Sequence, residues 1–120
     1  IEGGLATSQD KIKQNPDRMF RFVRGALKGL NHYVTKREAA IKYMMDTLRM
    51  KDRELVGSIY DLLTPLAVVE GFSDEKVLQA MIDDMKKTTK VQRDIKVADI
   101  FDLSFVKNAN QDIKASGWKP

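Results

Sequence analysis

The chain has no cysteine, one histidine, one tryptophan and three prolines among 120 residues. Without cysteine there are no disulfides and no thiolate metal ligands. With a single histidine, a zinc site of the usual His and Cys donors has nothing to build on. The longest apolar run is far short of the ~20 residues that a helix needs to cross a bilayer. Strand-forming segments are also scarce: one short candidate near the start, and no second one downstream.

What is present is an ordinary globular composition, 42% apolar and 32% charged. The net charge of +4 is uneven. Residues 1–50 carry ten Lys and Arg against five Asp and Glu; residues 51–85 carry three against eight; residues 86–120 carry eight against four. An acidic middle between two basic ends is not the continuous basic surface that nucleic acid requires.

The stretch from Gly3 to Leu30 organises the chain. Leu5, Ala6 and Thr7 follow two glycines and read as a short extended strand. Ser8 is placed to cap a first short helix over Gln9 to Lys13. Asn15 then precedes Pro16, a pairing suited to N-cap and first helical position. Asp17 meets the positive end of the helix dipole. Met19, Phe20, Val23, Ala26, Leu27 and Leu30 form one helical face. Arg18, Arg21, Arg24 and Lys28 form a basic row on the other. Phe22 lies off the apolar stripe, beside Arg18 and Arg21.

Further along, Thr35 and Glu38 have the spacing of a capping box. They open a helix from about Lys36 to Leu48, with Ala40, Ile41, Met44, Met45 and Leu48 inward. Asp52 starts the next helix, with Leu55, Val56, Ile59, Tyr60, Leu62 and Leu63 inward, and Pro65 closes it. Leu66 to Val69 is a short apolar connection ending in Glu70-Gly71. Ser73-Asp74-Glu75 opens a fourth helix whose stripe is Val77, Leu78, Met81, Ile82 and Met85, with Lys86 and Lys87 at its end. Thr88 to Lys96 reads as a surface loop. One turn is expected over Ala98 to Phe101, then a short helix capped by Asp102, from Leu103 to about Asn108. The tail is polar, and Trp118 is expected to dock, since leaving an indole in water is costly.

A lone strand must find partners for its backbone groups. With none downstream, residues 1–120 read as a single helical piece of a longer chain, its strand paired elsewhere or across two copies. The isolated piece is then expected to self-associate or swap domains.

No catalytic constellation emerges, so the chain reads as not an enzyme, with no cofactor and no metal. His32 stands alone near a helix end. Asp83-Asp84 and Asp74-Glu75 are adjacent pairs, which diverge on a helix. The methionines sit mostly on apolar stripes, where they fill core gaps. Gly3 and Gly4 are the candidate ligand-binding residues: glycine lets backbone approach a bound molecule, and exposed N–H groups hold anions. The competing reading is two glycines that merely open a strand. The basic row reads first as a solvated helix face.

The ordered motifs resemble the C-terminal region of ABC-importer substrate-binding proteins of the nitrate, sulfonate, taurine and thiamine-precursor group. Gly4-Leu5-Ala6-Thr7-Ser8, Asn15-Pro16 and Phe22-Val23-Arg24-Gly25-Ala26-Leu27-Lys28-Gly29 carry the likeness. Arg37 to Ile41, Tyr60 to Pro65, Ser73 to Met81 and Phe101 to Val106 extend it in order. Gly25 departs from the alanine usual there. The resemblance implies a two-lobed, type II-like α/β periplasmic-binding fold, of which this chain is the C-terminal, mainly α portion: five to six helices and one short N-terminal strand. It implies a periplasmic or extracellular protein that captures a small, often anionic or heteroaromatic, ligand and delivers it to an ABC permease. The alternative from the residues alone is a small all-helical protein- or nucleic-acid-binding module.

Overall fold

The computed structural model describes residues 4–120. They form α1 (Gln9–Gln14), α2 (Pro16–Thr35), α3 (Arg37–Leu48), α4 (Arg53–Leu63) with a 3-10 turn at Thr64–Leu66, α5 (Glu75–Thr89), α6 (Val97–Ile100) and α7 (Ser104–Ala115). The architecture is mainly α, and no strand forms among the described residues. The expected strand at Leu5 to Thr7 is instead exposed, irregular chain, because no other segment offers the ladder of donors and acceptors that an extended segment requires.

Local caps set most helix starts. The Ser8 side chain accepts from the Lys11 N–H, Asp52 from Leu55, and Asp74 from Lys76. Asn15 stands at the N-cap of α2 ahead of Pro16, but its side chain makes no capping bond. The Thr35/Glu38 capping box does not form. Thr35 Oγ1 donates back to the carbonyl of Asn31 at 2.7 Å, serving the end of α2, and Glu38 turns to Arg37 and Arg53. Two strong cations nearby outbid an exposed backbone N–H for the carboxylate.

Helix α2 is the spine, and two small cores form on it. Toward its N-terminus it packs along α7: Leu27, Val106 and Ala109 are buried, with Phe20, Val23, Phe72, Leu103 and Ile113 around them. Toward its C-terminus Tyr33 joins a second core of Ala40, Ile41, Val56 and Tyr60 from α3 and α4, flanked by Met44, Met45 and Met50. Helix α7 runs to Ala115, beyond the expected end near Asn108, because Ile113 continues the Val106 and Ala109 stripe. Helix α5 lies against α6, with Leu78 and Ile82 buried. The Gln79 side chain joins them, donating to the Ile95 carbonyl and accepting from the Val97 N–H.

The segment after the 3-10 turn is pinned between α2 and α7 by two asparagines. Asn31 Nδ2 donates to the carbonyls of Leu27 (2.9 Å) and Val69 (3.3 Å). Asn110 Nδ2 donates to those of Val106 (3.0 Å) and Glu70 (2.8 Å). Each asparagine thus bridges its own helix, four residues back, to the crossing strand of chain.

These cores leave much of the chain uncovered. The accessible surface is 9298 Å², about 2,700 Å² more than the ~6,600 Å² that a compact monomer of this mass exposes. The radius of gyration, 17.0 Å, exceeds the roughly 14 Å of a compact domain this long.

Candidate functional site

Of the two candidate ligand-binding residues, Gly3 lies outside the described residues. Gly4 is exposed, and a side chain there would meet nothing within 4 Å. The described residues therefore place no wall opposite Gly4 that would enclose a ligand.

The basic row is divided by the fold. Arg24 pairs with Asp112 of α7 at 3.1 Å, and Lys28 Nζ stands 5.1 Å from the Trp118 ring centroid. The expected docking of Trp118 thus occurs, on a cation of α2. Arg18 and Arg21 remain exposed, with no ion-pair partner among the described residues. His32 is exposed, and its carbonyl accepts from Thr35 Oγ1 and the Lys36 N–H. The adjacent acids do structural work: Asp74 caps α5, Glu75 pairs with Lys107 at 3.6 Å, and Asp83 accepts from Gln79. Among the described residues, no group of three or more His, Cys, Asp and Glu gathers into a metal-binding set.

The densest polar cluster joins α3 to α4. Arg37 holds Asp61 with both prongs, Nε to Oδ1 at 2.9 Å and an Nη to Oδ2 at 2.7 Å. It also contacts Glu38, which in turn holds Arg53. The guanidinium of Arg37 lies 5.8 Å from the centroid of the Tyr60 ring. The hydrogen bonds from Arg37 hold the Asp61 carboxyl below the usual carboxylate range. The shallow depression here, about 420 Å³, is lined by Arg37, Arg53, Glu54, Ser58 and Asp61. Its cations are already satisfied by carboxylates of the same chain, which leaves little to attract an outside anion.

Beneath it, the Tyr60 hydroxyl sits 2.9 Å from the carbonyls of both Tyr33 and Val34 and donates between them. These are last-turn carbonyls of α2, which a helix cannot satisfy by itself. The two tyrosine rings meet at 5.1 Å, tilted by 53°. Burial pushes the Tyr33 phenol above its ordinary pKa, and the neighbouring Tyr60 adds to the shift.

Apolar surface is left uncovered, at Phe22, which the sequence already sets off its stripe, and at leucines expected to face inward. Helix α2 exposes Phe22 (59% accessible), Gly25, Ala26 and Gly29 on one face. Helix α4 covers Val56 and Tyr60 against α3 but exposes Leu55 (51%) and Leu62 (71%), and the 3-10 turn after it exposes Leu66 (66%). Leu48, Leu63, Val77 and Met85 are exposed as well, against the inward reading of their stripes. The signal was in the sequence: the apolar arc of α4 is wider than one neighbouring helix can cover. No helix is long and apolar enough to cross a membrane among the described residues. Compared with protein-family models, curated proteins and solved structures, the chain matches none.

Proposed function

We propose that this chain acts by binding rather than catalysis, as the helical C-terminal layer of the solute-binding component of an ABC transporter. In that role the whole protein captures a small ligand outside the cytoplasmic membrane and hands it to the permease. The observation that carries the reading is the unpartnered face of α2. Phe22, Gly25, Ala26 and Gly29 follow at helical spacing, with Phe22 flanked by glycines one and two turns on. Such a face suits close apposition to a flat apolar surface, such as a sheet of a first lobe. The order of motifs from Gly4-Leu5-Ala6-Thr7-Ser8 to Phe101-Asp102-Leu103-Ser104-Phe105-Val106 supplies the family part of the reading. The ligand would then be bound by residues of the whole protein, Gly3 and Gly4 being the candidates within this chain.

Recovery of the protein from its natural source with antibodies to this chain tests the reading. The expected result is a larger polypeptide in the periplasmic or extracellular fraction, carrying a low-mass ligand visible by native mass spectrometry. A free 13.7-kDa chain in the cytosol overturns it.

A second reading, a helical protein-binding module, is favoured by the exposed leucines of α4. Its nucleic-acid version is weaker, since Arg24 and Lys28 are engaged within the chain. Affinity for DNA or RNA that falls steeply with salt would revive it.

A further inference from the structure

Residues 74–101, which hold α5 and α6, are tied to one another far better than to the rest of the chain. Leu78 and Ile82 are buried yet belong to neither of the two cores. Gln79 fastens α5 to the Ile95 carbonyl and the Val97 N–H. Among the described residues, α5 packs along α6, with no comparable contact to α2, α3, α4 or α7. The hydrogen bonds made by residues 74–101 also stay among those residues. Elsewhere the elements are cross-linked: Tyr60 to the end of α2, Arg37 to Asp61, Asn110 to Glu70. Among the described residues one ion pair leaves the α5–α6 unit, from Glu75 to Lys107 of α7 at 3.6 Å. Both of its side chains are exposed, and a pair of that kind contributes little.

We propose that residues 74–101 form a hinged arm, which swings as one body on two pivots, Ser73 and Asp102. Each pivot has a fixed point on either side. Toward the body, Phe72 and Leu103 pack against the core shared by α2 and α7. Toward the arm, Asp74 caps α5, and the Phe101 N–H donates to the Val97 carbonyl of α6. Hinges are short stretches of this sort, in which a few residues at element ends take up the backbone rotation. Elements with few outward bonds are the ones that move at low cost. At the root of the arm lies an open crevice of about 430 Å³. Ser73, Glu75 and Lys76 line it on one side, Leu103 and Lys107 on the other. Lys107 spans it, pairing with Glu75 and standing 6.0 Å from the centroid of the Phe72 ring. Its ammonium is the latch: held, it keeps the crevice narrow, and released, it lets the arm swing out and the crevice widen. The Phe22 face of α2 takes no part, so the arm stands or falls independently of the solute-binding reading.

Distances between spin labels in the whole chain test it, since the absence of cysteine leaves label sites free to be chosen. Labels at Arg21→Cys and Asp84→Cys span the spine and the arm. Labels at Arg21→Cys and Tyr43→Cys span α2 and α3 as a reference. All three positions are exposed. The expected result is one narrow distance for the reference and two populations for the arm, the longer one minor. Lys107→Ala raises that minor population roughly two- to five-fold, the range that an exposed ion pair supports. Helical circular dichroism stays unchanged in Lys107→Ala, because the arm swings without unfolding. An arm distance as narrow as the reference in both proteins, a minor population indifferent to Lys107→Ala, equal broadening of the reference, or loss of helical signal each overturns the proposal.

Discussion

A side chain at Gly71 would collide with Leu27: a β-carbon there would stand 2.5 Å from Leu27 Cδ2, and 3.1 Å from Val106 Cγ2. Gly71 also has φ +74, where a Cβ is disfavoured. The chain crosses between α2 and α7 where both helices bring a buried branched side chain against it. Gly71→Ala is expected to lower stability by about 2–4 kcal/mol, adding backbone strain to overpacking. A urea midpoint within experimental error of wild type would show that the crossing is looser than described.

The Tyr60 hydroxyl closes the end of α2 from a different helix. Tyr60→Phe keeps the ring and its contact with Tyr33 but leaves two carbonyls without their donor. The expected loss is about 1–2 kcal/mol. Tyr60→Ala also empties part of the core and should cost about 3–5 kcal/mol. Chemical denaturation of the two variants side by side separates hydroxyl from ring.

The Arg37–Asp61 link predicts a direction for acid sensitivity. The carboxyl of Asp61 is held below its usual range in the folded chain, first by hydrogen bonds from Arg37. The unfolded chain therefore takes up this proton more readily as acid is added. The stabilisation is fully present above the ordinary carboxylate pKa of about 3.9 and is lost as pH falls through the depressed folded value. Asp61→Asn should flatten this part of the stability profile. An unchanged slope between wild type and variant would remove Asp61 from the account.

Arg49 and Lys90 both end their helices in the left-handed region, with φ 55 and 57. Neither is glycine, so each carries a steric cost of about 1 kcal/mol. Arg49→Gly and Lys90→Gly are expected to raise the melting temperature, modestly, since glycine also loses more freedom on folding. A lowered melting temperature in both would mean that those side chains make compensating contacts.

The single tryptophan reports on α7. Trp118 rests against Lys28, and Arg24 ties Asp112 of the same helix. Arg24→Ala is expected to loosen the last turns of α7 and shift tryptophan emission to the red, with a smaller shift for Lys28→Ala. These are half-exposed contacts, so global stability should change by less than about 1 kcal/mol. Emission unaffected by both changes would place the indole elsewhere.

Much of the local structure was readable from residue type. Ser8 and Asp52 accept the backbone bonds expected of them. Asp74, read with Glu75 as a first-turn acid, is itself the cap of α5, and Asp102 accepts from the Ser104 N–H just ahead of Leu103, the N-cap residue of α7, instead of capping a helix that starts at Leu103. Other local readings failed. Thr35 and Glu38 had better partners than each other, one in the preceding helix and one in two arginines. The Leu5 to Thr7 strand had the composition of a strand but no neighbour to pair with. The last helix was expected to end near Asn108, before a polar tail, although Val106, Ala109 and Ile113 carry the helical spacing that seats α7 on α2 as far as Ala115. For the site, the basic row was visible, but its division by Asp112 and Trp118 joins residues about 90 positions apart.

What the sequence by itself determined is where most helices begin and which positions are apolar, because caps, prolines and spacing act over a few residues. What only the tertiary structure decided is which apolar stripes are covered. Val56 and Leu55 are neighbours of similar character on one helix, yet α3 buries the first and leaves the second in water. Burial depends on where a neighbouring element lies, and that is set by the crossing at Gly71 and the closure at Tyr60, each made by residues distant in the chain.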